Sequence, residues 1–196
     1  MNESLKVLYK SIQERYIKIV WTHKIQEIQG DIYFKKAKCI KRHICCFTVL
    51  TTGSALASIL PFLSCISLDN GNEIDVISPI TALFATALAY FTLRYGDGIV
   101  ESKAQENKRC AAKLHNLRNK YESLMTDIYA GIISIEEASK RKGNLEIEED
   151  ELYSQPLPFT SSEAVASANE ALKINKDSTT EIEEIDLLVP SYLIVH

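Results

Sequence analysis

The chain has 196 residues, room for one domain of ordinary size, and a formal net charge of −4. That charge is an average over unlike regions. Residues 1–43 carry ten Lys+Arg against four Asp+Glu, 44–93 no base and three acids, 94–142 ten bases and seven acids, and 143–196 two bases and twelve acids. Such segregation implies compartments with different neighbours. The five cysteines, at 39, 45, 46, 65 and 110, are an odd number and fit free thiols rather than the even, loop-placed framework of a secreted domain.

The first region, 1–43, reads as a basic amphipathic helix. Leu5, Leu8, Ile12, Tyr16 and Ile19 are spaced 3, 4, 4 and 3, which puts them on one face of a 3.6-residue period. Gly30 stands where a helix former is expected, so continuity of the helix is open there.

Region 44–93 holds two charge-free runs, 25 residues at 44–68 and 18 at 76–93. As helices they reach roughly 37 and 27 Å, against a hydrocarbon core of about 30 Å. A core helix of a soluble protein shows a polar face, and neither run contains a charge. Both are expected to span a membrane. No cleaved leader is expected, since 43 mostly polar residues precede the first run. Lys35, Lys36, Lys38, Lys41 and Arg42 precede the first run, and Arg94, Lys103, Lys108 and Arg109 follow the second. The loop 69–75, DNGNEID, carries no base, so both termini are expected in the cytoplasm and the loop outside. Asn70-Gly71 supplies the turn, and Pro61 is expected to kink the first helix.

Small residues recur four apart, at Gly53/Ala57 and Ser54/Ser58 in the first run and at Ala82/Thr86 and Ala85/Ala89 in the second. Such spacing lets helix backbones approach closely in lipid. Thr51, Ser54 and Ser58 form a mildly polar stripe, and Thr81 and Thr86 answer it across the hairpin. Thr51, Ser54, Ser58, Thr81, Ala85, Thr86 and Ala89 are therefore the candidate packing or pore face. They either pack the hairpin or, in an assembly of several hairpins, line an aqueous path. No ionisable group lies mid-run, which argues against proton relay.

Region 94–142 opens on Tyr95-Gly96-Asp97-Gly98, a joint, and continues with a heptad-like seam of Cys110, Leu114, Leu117, Tyr121, Leu124 and Ile128. A seam of this kind wants a partner helix, and the N-terminal helix and another subunit both qualify. Gly131 ends the run, and Ser134-x-x-Glu137 opens the next helix with capping-box chemistry. The acidic tail, 143–196, is broken at Pro156 and Pro158. It shows two further boxes, Thr160-x-x-Glu163, opening a helix to about Asn175, and Thr180-x-x-Glu183. The apolar Ile185, Leu187, Leu188 and Leu193 point to a docked tail rather than a disordered one.

The sequence has no phosphate-cradling glycine loop, CxxC, HExxH or GxSxG. His23, His43, His115 and His196 are scattered, and the bases flank apolar runs, which topology and lipid head groups explain. No catalytic, cofactor-binding or metal residue is expected, nor an enzyme, nor nucleic-acid binding. The expected fold class is an all-α membrane protein: a two-helix transmembrane hairpin with long N- and C-terminal cytoplasmic helices and a small helical tail.

Three segments carry a family resemblance: WTHKIQEIQGDIY (21–33), AAKLHNLRNKYESLMTDIYAG (111–131) and EEIDLLVPSYL (183–193). With the two apolar runs they resemble the SLATT family, the SMODS- and SLOG-associating two-transmembrane effectors of bacterial conflict systems, over almost the whole chain. The resemblance implies an antiphage effector in the inner membrane. It would be switched on through a nucleotide second messenger or a nucleotide-generating or nucleotide-sensing partner protein. It would act as a homo-oligomer that permeabilises the lipid bilayer, causing death or arrest of the cell. The competing class is a membrane-anchored scaffold that recruits a soluble partner through its cytoplasmic helices.

Overall fold

The computed structural model describes the backbone of residues 3–65, 77–95, 98–172 and 188–194, and side chains over those ranges outside 53–81. Its regular elements are all helical: α1 (Glu3–Cys65), α2 (Ile77–Tyr95), α3 (Ile99–Tyr129), α4 (Ile135–Ser154), α5 (Ser162–Leu172) and a 3₁₀ turn at Ser191–Leu193. They fall into two compact units, one of residues 1–32 with 103–196, the other of 33–102.

The larger unit is a helical bundle built on α1 and α3. The seam of α3 is buried in full, from Cys110 through Leu114, Leu117, Tyr121 and Leu124 to Ile128, joined by Ala111 and Met125. Against it lie Tyr9, Ile12, Tyr16, Ile17, Ile19 and Val20 of α1, so the partner left open by the sequence is the chain's own N-terminal helix. Burying each such side chain contributes about 1.5–3 kcal/mol. The pairing is antiparallel: Gly30 lies against Lys108, and His23 against His115.

Helix α1 passes through Gly30 without a break. Glycine there lowers helix propensity by about 1 kcal/mol, but a Cβ would sit 3.0 Å from the Lys108 stem. The missing side chain is what lets Lys108 cross α1 and place its ammonium 2.8 Å from Asp31. Gly131, at φ +67°, ends α3: Gly131 N–H donates to Ile128 O and Ile132 N–H to Asp127 O, which closes the last turn.

Helix α4 begins where the sequence places it, with Ser134 Oγ accepting from Glu137 N–H. It covers α1 and α3 through charges. Glu149, nearly buried, accepts from Arg15 at 3.0 Å and from the Tyr121 hydroxyl at 2.9 Å, while Lys120 holds Glu148 and Arg141 holds Asp127. Helix α5 starts one residue later than the Thr160 box implies. Ser161 is the capping residue because its N–H and hydroxyl are both fixed by Gln29 Oε1 at 2.7 Å, and its Oγ faces Ala164 N–H. Ala164 and Ala168 then bury against Ile25, and Trp21 Nε1 donates to Asn169 at 2.7 Å.

The last described segment docks. Leu193 is fully buried, Val189 nearly so, Leu188 packs against the core, and the Leu193 carbonyl accepts from Tyr9 at 2.7 Å and from Gln13 at 3.3 Å. The second tail box, Ile185 and Leu187 lie outside the described residues.

The smaller unit holds the rest of α1, with α2 and the start of α3. His43 and Phe47 of α1 stack on Phe91, and Phe47 also meets Phe84. Position rises on one helix as it falls on the other, so the two are antiparallel. Helix α1 is helical on both sides of Pro61, and α2 matches the second apolar run to within two residues. Among the described residues no helix is long and apolar enough to cross a membrane. Described side chains cover only 44–52 of the first run and 82–93 of the second, and the loop 69–75 lies outside them.

Two outcomes test this packing. Leu114→Ala should cost about 2–5 kcal/mol in a denaturant melt, whereas Val7→Ala, at a position 66% exposed, should leave the midpoint in place. The Glu146 carboxyl is held below its ordinary 4.5 by the bond from Lys142 and then by the charge of Arg15. A depressed acid stabilises above its unfolded value, and that contribution is lost as pH falls through the folded one. Glu146→Gln should therefore lower the thermal midpoint at neutral pH, and the difference from wild type should shrink as pH falls below the ordinary carboxylate value.

Candidate functional site

Two surfaces stand out, one in each unit. In the smaller unit the contact between α1 and α2 is aromatic, centred on Phe47 and Phe91 with ring centroids 5.4 Å apart. The small-residue face lies elsewhere. Ala85, Thr86 and Ala89 are exposed, with the Thr86 hydroxyl donating to Ala82 O of its own helix, and Thr51 is half-buried with its hydroxyl on Phe47 O. Ser54, Ser58 and Thr81 lie outside the described side chains. Val49, Leu50, Leu83, Tyr90 and Leu93 are also exposed, Leu93 to 84%.

The bundle holds the second surface, a cavity of about 600 Å³ between α1, α3 and α5. Helix α1 contributes Val20, His23, Lys24 and Glu27, helix α3 Lys108, Ala111, Ala112, His115 and Arg118, and helix α5 ends on it with Ala171 and Leu172. Spacings of three and four bring each set to one stripe of its helix, and the antiparallel pairing of α1 with α3 faces the stripes together. The lining thus brings basic side chains of α1 and α3 near the Glu27 carboxylate.

Their partners differ. Lys24 holds Glu27 at 2.9 Å, and Lys108 reaches out of the cavity to Asp31. The Nε of Arg118 is buried without an acceptor among the described residues. The His23 and His115 rings lie 5.4 Å apart, tilted by 38°, and His115 also meets Asn119. Burial lowers the His23 pKa from its ordinary value, with the charge of Glu27 working against it and that of Arg118 in the same direction. The hydrogen bond from Lys24 draws the Glu27 carboxyl below its ordinary value, against the opposing effect of burial.

The seam residues Cys110 to Ile128 are structural in this chain: all six are buried against α1 and the docked C-terminal segment. The cavity residues were not singled out by the sequence. Scattered histidines and bases beside apolar runs have ready explanations, and only the register of α1 on α3 makes one cluster of them. The available signal was the pair of stripes, 20, 23, 24, 27 and 108, 111, 115, 118, each holding a histidine beside a cation.

The aromatic contact and the small face should separate experimentally. Phe91→Ala should loosen the hairpin by about 0.5–1.5 kcal/mol through the lost ring pair, read as a lower melting midpoint in dilute micelles. Ala85→Leu should leave that midpoint unchanged, because its methyl faces away from α1, and should alter the crosslinking ladder between copies.

No curated protein matches the chain, and no solved structure does. Residues 8–184 match the family model described as the SMODS and SLOG-associating 2TM effector domain family 4. That match takes in α2 to α5 whole and nearly all of α1, and on it the chain belongs to the SLATT effector-domain family.

Proposed function

We propose that this protein is a non-enzymatic membrane effector of a nucleotide-regulated bacterial antiphage system. Its hairpin inserts in the inner membrane with both termini cytoplasmic, and several copies assemble to permeabilise the bilayer. The observation that carries the reading is the pair of charge-free runs, 25 and 18 residues long, in a chain whose family is described as two-transmembrane. Exposed Val49, Leu50, Leu83 and Leu93 support it, since in lipid these side chains meet acyl tails instead of water. The exposed Ala85 and Ala89 leave a smooth face for a neighbouring hairpin, the geometry through which membrane helices associate. Nucleotide control is an inference from the family's association with SMODS and SLOG partners.

The test is ion flux. Full-length protein in liposomes, supplied with its activating partner, should pass K⁺ and Cl⁻. An Arg centred in lipid costs on the order of 2.5–3.5 kcal/mol on the insertion scale, and far less beside water. Ser58→Arg should therefore still insert and shift selectivity toward anions if that stripe lines a lumen. Absence of flux for either ion from activated wild type would replace the pore with the scaffold reading.

A further inference from the structure

We propose that one outward face of α1 binds an anionic phospholipid, its phosphate on Lys35, Lys38 and Arg42 and an acyl chain lying along Cys45 and Val49. These five residues follow one another at spacings of 3, 4, 3 and 4, so they share a single face of an unbroken helix. All five are exposed, and Thr52, three residues further on, continues the stripe and is exposed as well. Other sides of α1 are taken. His43 and Phe47 stack on Phe91 of α2, and Lys41 reaches Glu101 at 2.6 Å.

The head of the stripe is positive without compensation. Residues 33–65 of α1 hold five bases and no acid, and Lys35, Lys38 and Arg42 have no carboxylate partner among the described residues. A guanidinium flanked by ammonium groups meets a phosphate through charge-assisted hydrogen bonds. A lipid of net negative charge is drawn more strongly than a zwitterionic one, whose own ammonium offsets its phosphate. The foot of the stripe is apolar: Val49 is 65% exposed, and the thiols of Cys45 and Cys46 beside it add soft, weakly polar surface. From Arg42 to Thr52 the helix rises about 15 Å, half of a hydrocarbon core of about 30 Å, so the phosphate and acyl chain of one leaflet both find a place. A second copy seated on the same face would set like charges against each other. Lipid selection by this face rests on the membrane reading and adds to it the class of lipid selected.

The full chain would be reconstituted in phosphatidylcholine vesicles carrying a trace of spin-labelled phosphatidylglycerol or, in parallel, spin-labelled phosphatidylcholine. Electron paramagnetic resonance then reads the fraction of each probe immobilised on the protein. Phosphatidylglycerol should be held on the order of fivefold more strongly, the factor that one cation near an anionic lipid supplies, and added salt should shrink the preference. The triple variant Lys35→Gln, Lys38→Gln and Arg42→Gln should abolish it. A charge-matched triple in the bundle, Lys6→Gln, Lys10→Gln and Lys18→Gln, also at exposed positions, should keep it. Flotation after an alkaline carbonate wash checks insertion separately for each protein. Wild type released by the wash would overturn the membrane reading and the lipid stripe together. Inserted wild type that holds both probes equally, or a preference that the two triples change alike, would overturn the stripe alone.

Discussion

The antiparallel contact of α1 with α3 is the constraint on which the bundle depends. Tyr9, Ile12, Tyr16 and Ile19 on one helix meet Leu114, Leu117, Tyr121 and Leu124 on the other with almost no exposed surface. Everything else in the bundle is laid onto that pair. Helix α4 is fixed by Arg15 from one side and Tyr121 from the other, both ending on Glu149. The C-terminal segment is fixed by Tyr9 and Gln13, and α5 by Trp21, Gln26 and Gln29.

This arrangement places polar side chains in the interior at the points where elements meet. Gln29 is 1% exposed, yet it satisfies two donors of Ser161 at once, so its burial is compensated. Gln26 reaches the Pro158 carbonyl, which has no helical partner because proline breaks the chain there. Such contacts set register more than they add stability. A helix sliding one turn along α1 would keep most of its apolar burial and lose every one of them.

The same register makes the cavity. His23 and His115 come together because Gly30 and Lys108 do, seven residues away on each helix of the same antiparallel pair. In the hairpin unit a different division holds: aromatic rings join the two helices, and alanines face outward. Rings fill the gap between helices that are not in closest contact, while small side chains are useful where backbones must approach.

Local pattern determined a good deal by itself. The 3-4 spacing on α3 and on the N-terminal part of α1 named the buried faces correctly, because burial on a helix follows period alone. The Ser134 cap and the Gly131 stop were legible for the same reason, each being decided within four residues. Family membership was also legible, since it rests on helical signatures spread over 8–184. Three things were decided only in the tertiary structure. The partner of the seam is α1, which a heptad pattern cannot name. The cap of α5 is Ser161, because Gln29, 132 residues away, holds it. The basic cavity exists only once the cations of residues 24, 108 and 118 are brought together. Each depends on residues far apart in the chain, and a single sequence carries period and capping chemistry but not the register between helices.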